Sequence, residues 1–432
     1  HHDYQATKQR NVRPGACMTN ALNILVVGSG AREHALASKI SESPRCANLH
    51  VTPGNAGTPG TRHNVSATDI NGIIALCNTN RISLVVVGPE APLAAGIVDA
   101  LLAAGIAAFG PTQALARLES DKSYARTIAH TLNMPSPLFA SFTQGNEAEA
   151  LAWWKNFGAD IVVKQSGLAG GKGVVVPTSA EETTLAIREA IAVGDIVLEE
   201  RLTGTECSLI AVSDGKTSVA FPLAQDHKRI SDNDQGLNTG GMGAYSPSPF
   251  LNDADLERVG QAILGPWLEG CAEEGIDFKG LLYPGVMLTA SGPKVLEFNA
   301  RFGDPETQAY LPRLENDLVE LLSASIDGTL DKTPIRWSPL SSLCVVIASA
   351  GYPGPSPKGY PIHGLKGLSG HPQLEVFHAG TALKDGEVVT AGGRVLGVTA
   401  LGATLDEARR QGYLAADRIF FDGIQRRHDI GA

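Results

Sequence analysis

Hydrophobic positions come in short blocks, spaced as in a parallel α/β unit. From residue 22 the apolar runs in "NILVVG", "NLHVTPG", "ISLVVVGPE" and "IAAFGP" each end at glycine or proline. Between them lie stretches with helical spacing: "REHALASKISES", "INGIIALCNTN" and "AAGIVDALLAAG". Continuous apolar runs suit strands buried on both faces, with helices carrying the chain back to the same edge. The pattern predicts a Rossmann-like N-terminal domain over 21–121. Its ligands should lie at the strand ends "GSG", "PGNAG", "GPEAP" and "GPT".

Beyond this domain the rhythm changes. Residues 117–134 read as a helical linker, and from 160 strands follow one another directly. "DIVVKQ" and "GKGVVVP" are joined by glycines, a helix is predicted over 180–193, and three further strand signals follow. A long helix is expected over 253–275, then a hairpin made of "GLLYPGVMLTASG" and "PKVLEFNARFGD", then helix over 306–328. A last unit over 335–430 alternates strands with a closing helix. Residues 226–247 read as a long polar loop, and a loop of that length is usually functional.

Composition narrows the classes. Hydrophobic residues make up 43% of the 432 and charged residues 19%, which is ordinary for a globular chain. The net charge of -10 comes without any basic run longer than a pair, so nucleic acid is not an expected partner. No run of 18 apolar residues exists, so a membrane is not expected either. The six cysteines are scattered with no C-x-x-C pair, which suits a reducing cytoplasm. Residues 1–20 are polar and lack a signal-peptide core. They read as a disordered tail, with His1-His2 as a tag remnant and Met18 as a start.

Two motifs fail as familiar fingerprints. "GSGARE" has Glu33 where a dinucleotide site needs a third glycine, and no acidic residue closes the second strand. Gly28 and Gly30 still suit either an anion at a helix N-terminus, with Arg32 adding charge, or a plain tight turn. "QSGLAGGKG" misses the Walker A spacing, and it opens a strand where a P-loop opens a helix. It leaves a glycine flap with Lys164 on one arm and Lys172 at the tip. Gly167, Gly170, Gly171 and Gly173 free backbone donors there, which favours phosphate binding over a simple hairpin.

"KVLEFNARFGDPE" carries the sharpest chemistry. Alternation puts Leu296, Phe298 and Ala300 into a core. Glu297, Asn299 and Arg301 share the other face, about 7 Å apart. Two hard oxygen donors suit Mg²⁺ beside nucleotide phosphates, and the arginine suits developing negative charge. The alternative is a Glu297–Arg301 ion pair on an exposed face. Glu199, Glu200 and Glu206 follow a strand, where they suit adenine and ribose or simply a solvated acidic turn.

Together, "GSGAREHALA", "PGNAGT", "VGPEAPL", "FGPT", "GLAGGKGV", "QDHKR", "NTGGMGAYSP", "EFNARFGDPETQ" and "HAGT" resemble the glycinamide ribonucleotide synthetase family of the ATP-grasp superfamily. The stretches run in family order from about residue 23 to 430. The resemblance implies a multidomain α/β and α+β fold. An ATP-grasp region would span 122–328, with a lid at about 135–205, between the Rossmann-like domain and a small mixed α/β C-terminal domain. It implies a monomeric enzyme using ATP and Mg²⁺ or Mn²⁺ to join glycine to 5-phosphoribosylamine. Lys122, Lys164, Lys172 and the flap would hold ATP, with Glu199, Glu200 and Glu206 at adenine and ribose. Glu297 and Asn299 would bind metal. Arg301 and Asp304 would be catalytic. Gly28, Gly30, Asn55, Asp226, Lys228, Arg229 and Gly241 would meet the substrates. Gln165-Ser166 departs from the family's Ala-Asp before the flap, and the preceding strand "YPGVML" lacks the further acidic metal ligand that many ATP-grasp enzymes carry.

Overall fold

The computed structural model describes residues 21–167, 173–249 and 251–432. Its first sheet has five parallel strands, in the order Thr61–Arg62, Cys46–Pro53, Leu22–Gly28, Leu84–Val87, Ala107–Phe109. The strand order reverses at Leu22–Gly28, which opens a crevice beyond Gly28 and Val87. Leu25, Val27, Val85 and Val87 pack on one side with Ile97, Val98 and Leu101. On the other side, Ile24, Val26, Leu84 and Val86 share a core with Tyr310, Leu318 and Leu322, so the chain from far downstream closes this sheet.

That downstream segment is not the single helix expected over 306–328. It divides into Glu306–Tyr310, a 3₁₀ turn Leu311–Arg313 and Leu318–Asp327. Pro312 lies in the turn, where its missing N–H ends the first helix. Asp317 then caps the second by accepting from the Val319 N–H at 2.8 Å.

A four-stranded sheet follows, in the order Phe139–Phe142, Ile196–Glu200, Ile161–Gln165, Val174–Val175. Helices Glu147–Phe157 and Ala180–Val193 contribute to its core, around Ala150, Ile161, Ile187 and Leu198. A second antiparallel sheet takes Thr205–Ser208, Lys279–Thr289, Ala211–Asp214 and Ser218–Ala220, with Gly292–Asn299 paired to Lys279–Thr289. Helix Asp253–Glu274 packs on it through Trp267 and Ile263.

Gly292–Asn299 departs from simple alternation. Gly285 faces Glu297, whereas Val286 faces Val295, so Leu296 is an extra residue in a bulge. The core residues are therefore Val295, Phe298 and Ala300. Leu296, expected in the core, is only partly buried, and its carbonyl is turned outward as an acceptor.

The polar stretch 226–247 is also more ordered than a loop. Gln225–Asp226 and Gly243–Ser246 form the near side of a third sheet with Ser341–Ala348, Arg394–Gly402 and Leu374–His378. Arg229–Ser231 and Gln235–Asn238 make a hairpin between them. The expected boundary at 335 therefore cuts across this sheet.

Candidate active site

The four-stranded sheet and the bulged strand meet across a buried cluster of charges. Glu199 is 2% exposed, and its carboxylate faces Arg126 at 2.6 Å and Lys164 at 2.8 Å. Burial alone would raise its pKa, but the two cations outweigh burial and hold it below the usual range. Lys164 also donates to the Leu296 carbonyl at 2.8 Å, so the bulge anchors it. Arg126 donates to the carbonyls of Val295 and Leu296. Among the described residues Lys164 meets Glu199 and the Leu296 carbonyl. Glu199 is thus a brace for Lys164 and Arg126.

Lys122 lies close by. It donates to the Gly167 carbonyl at 3.0 Å, at the base of the flap. Burial lowers its pKa, with the charges of Glu297 and Lys164 next in weight. Gly173, on the far side, accepts from the Gln165 N–H at 2.7 Å. Gly170, Gly171 and Lys172 lie outside the described residues. Glu200 accepts from the Leu138 N–H at 3.2 Å and faces Lys294 at 3.5 Å, so its carboxylate is engaged within the protein. Glu206 is half-exposed.

At the end of the strand the expected face holds, but its partners differ. Glu297 does not pair with Arg301. Its carboxylate faces Lys228 at 3.3 Å, and the same ammonium reaches Glu206 at 3.4 Å. Lys228 pulls the Glu297 carboxyl down to about 2, so it stays ionised. Asn299 presents its side-chain oxygen to Arg301 at 3.3 Å. Arg301 is gripped from the N-terminal unit, by Glu119 at 2.9 Å and more loosely by Glu90 at 3.6 Å. Glu119 also accepts from the Ala300 N–H at 3.0 Å. Nothing in the local sequence around 301 pointed to either glutamate.

Beyond Arg301, Asp304 is held by Arg394 at 3.3 Å and Gln308 at 2.8 Å. Burial opposes ionisation, but Arg394 and Arg32 outweigh it and keep the carboxyl below its usual range. Asp304 is therefore a fixed charge and does not hold a proton near neutrality, which narrows the catalytic role expected of it. Gly241 has φ +127°, and a side chain there would run into Pro305. Its carbonyl accepts from Arg394 at 3.3 Å. Among the described residues, Arg301 Nε, Gln308 Oε1 and Asp226 Oδ1 are enclosed polar atoms without a hydrogen-bond partner. Such atoms are rare in folded proteins and mark places where something else is to be met. Among the described residues no group of three His, Cys, Asp or Glu side chains could hold a metal alone.

The arrangement has relatives. Family models for phosphoribosylglycinamide synthetase match most of the chain: the N domain over 22–119, the ATP-grasp (A) domain over 120–307 and the C domain over 342–432. The chain belongs to the phosphoribosylglycinamide synthetase family. Proteins named phosphoribosylamine–glycine ligase are similar along nearly their whole length. The one from Rhodopirellula baltica is 45% identical, covering 94% of this chain and 97% of its own. The one from Synechocystis is 46% identical, covering 95% and 99%. The crystal structure of the Thermotoga maritima phosphoribosylamine–glycine ligase superposes with a TM-score of 0.81 at 33% identity, covering 95% of this chain and all of that one. A biotin carboxylase domain from Hydrogenobacter thermophilus, solved with MgADP, shares the fold at 16% identity and a TM-score of 0.71 over 94% of this chain and 92% of that one. The chain is an ATP-grasp enzyme of mixed α/β architecture, and ATP use follows from that fold.

Several of the expected substrate residues make contacts within the protein. Glu33, 1% exposed, fills the crevice beyond Gly28. It accepts from the Gly30 N–H at 2.7 Å and from Arg32 at 2.6 Å. Side chains at Gly28 or Gly88 would collide with it. At this turn the Gly30 N–H donates to the chain's own Glu33. Asn55 is likewise saturated. It donates to the carbonyls of Ser29 and His378 at 2.9 and 2.6 Å and accepts from Thr58, latching its loop to the last sheet. Arg229 points into its own hairpin, onto the Gly236 carbonyl at 2.8 Å, away from the cluster.

Proposed function

We propose that this enzyme is an ATP-dependent ligase of purine biosynthesis that joins glycine to 5-phosphoribosylamine. The products are glycinamide ribonucleotide, ADP and phosphate. The observation that carries the reading is the convergence of Lys122, Lys164, Glu297, Asn299 and Arg301 within a chain matched over most of its length by one ligase family. ATP transfers its terminal phosphoryl group to the glycine carboxylate, and the amine displaces phosphate from the resulting glycyl phosphate. A carboxylate is a poor electrophile, and the mixed anhydride removes that barrier. The protein contributes position and charge.

Lys164 and Lys122 hold the phosphates, with Lys172 and the glycines of the flap closing over them. Glu206 takes the ribose. Arg301 offers its charge to an oxygen that gains charge as the bond transfers, while Glu119 and, more loosely, Glu90 fix its plane. Lys228, Asp304 and Gly241 line the substrate end. Glu297 and Asn299 fit a hard cation: one is an ionised carboxylate and the other an amide oxygen on the same face. Two protein oxygens suit Mg²⁺ or Mn²⁺, which would complete its shell from phosphates and water. When bound, that ion supplies neutralising charge to the nucleotide phosphates. We read the enzyme as a cytoplasmic monomer acting on small molecules, with neither nucleic acid nor membrane as partner. The acidic charge and scattered cysteines support this.

The test is ADP release from the purified chain, with 5-phosphoribosylamine generated in situ. Release that requires both glycine and the amine supports the reading. Release with another carboxylate and amine would make it a different ATP-grasp ligase. No release with any pair would leave a nucleotide-binding module without catalysis.

A further inference from the structure

The ligase reading leaves one proton to place. When the amine attacks glycyl phosphate, a C–N bond forms, the C–O bond to phosphate breaks, and nitrogen sheds a proton. Most carboxylates near Arg301 are already committed. Asp304 is held by Arg394 and Gln308, Glu119 by Arg301 and the Ala300 N–H, and Glu297 by Lys228. Glu90 faces Arg301, which helps hold it ionised.

Asp226 differs. It sits at the end of strand Gln225–Asp226, and among the described residues its Oδ1 is shut from solvent with no hydrogen-bond partner. The group it meets is another carboxyl, Glu306, two residues after Asp304. Glu306 is 2% exposed and accepts from the Tyr283 hydroxyl, which in turn contacts Ser208 at 2.9 Å. A side chain at Gly303 would press on Glu306 at 2.6 Å, so glycine is what lets the two carboxyls come together. Lys228 and Arg394 face the pair as cations, Glu206 adds negative charge, and Tyr283 closes it from the adjoining strand.

We infer that the Asp226–Glu306 pair accepts the proton that the attacking amine loses. The inference rests on the ligase reading. The pair, faced by Lys228 and Arg394, takes up the proton and shares it between the two carboxyls. The proton then leaves on the departing phosphate, so no further reactant is needed. Burial and the neighbouring Glu306 push Asp226 well above the usual carboxylate range, which raises its affinity for a proton. Asp226 is the group that meets the amine. Glu306 and Tyr283 are positioning residues.

The two half-reactions separate this role from a structural one. With ATP, glycine and hydroxylamine, the full chain should make glycine hydroxamate, because hydroxylamine traps glycyl phosphate without a protein base. D226N should keep that rate within about threefold and lose ~100-fold or more in glycinamide ribonucleotide formation. The wild-type rate of amine transfer should fall as pH drops through the titration of the pair, and D226N should lack that limb. E306Q removes the neighbouring negative charge, so its limb should move to lower pH. Equal loss of both half-reactions in a folded D226N, or unimpaired transfer, overturns the inference. If D226N does not fold, E306Q decides: an unmoved limb overturns it. A wild-type chain that makes neither product overturns the ligase reading itself.

Discussion

The glycine turn at Gly28–Gly30 and the strand end at Glu297–Arg301 both look suited to phosphate chemistry in sequence. The structure treats them oppositely. At the turn, Glu33 takes the Gly30 N–H and Arg32 and fills the crevice over Gly28 and Gly88. At the strand end, partners come from other elements: Glu119 and Glu90 face Arg301, and among the described residues Arg301 Nε has no hydrogen-bond acceptor, only the looser ionic contact with Glu90 at 3.6 Å. An anion motif is an opportunity, and whether a local carboxylate has already taken it decides its use. One residue marks the difference: Glu33 is the reason the dinucleotide pattern fails, and it also accepts from the Gly30 N–H.

Substitutions on the two sides should separate them. Arg301→Ala should cut turnover by ~10²–10³-fold, or about 3–4 kcal/mol, while ATP affinity measured by calorimetry stays near wild type. A parallel loss of ATP affinity would place Arg301 in ground-state binding. Glu33→Gln should do the reverse. It should lower unfolding stability by about 2–3 kcal/mol, since a buried charge-assisted pair is lost, and leave kcat near wild type. A large rise in KM for the amine would return the turn to the substrate site.

A pH titration probes the contact between the N-terminal unit and the last sheet. His34 accepts from the His378 N–H at 2.8 Å, and burial, with His378 next, lowers its pKa from 6.5 to about 3. The folded state therefore resists a proton that the unfolded chain takes up below about 6.5. This contribution is intact above that pH and is lost as pH falls towards 3, by about 2 kcal/mol at pH 5. Denaturant melts at pH 7 and pH 5 should show the loss, and His34→Gln should reduce it. The smallest effect belongs to Arg229→Ala. Its guanidinium stays within an exposed hairpin, so stability should move by less than about 0.5 kcal/mol.

Local pattern was enough for the parallel sheet, the flap strands, the long helix at 253–274 and the face shared by Glu297, Asn299 and Arg301. What it missed has physical causes. The bulge at Leu296 shifts alternation by one residue, and only pairing with Gly285 and Val286 reveals it. Pro312 was visible, yet the helical pattern on either side masked its effect. Strand Gly243–Ser246 looked like loop because its glycines and polar residues are buried by partners a hundred residues away. The braces Glu119, Arg126, Arg394 and Glu306 are single charges in unremarkable helices or strands. Their meaning comes from long-range pairing, which spacing in sequence does not encode.

The ligase reading turns on activation of glycine by phosphorylation at the strand end. Turnover with glycine labelled by ¹⁸O in both carboxylate oxygens tests it most directly. One labelled oxygen should appear in the released phosphate per glycinamide ribonucleotide formed. Phosphate free of label, with product still made, would contradict the account.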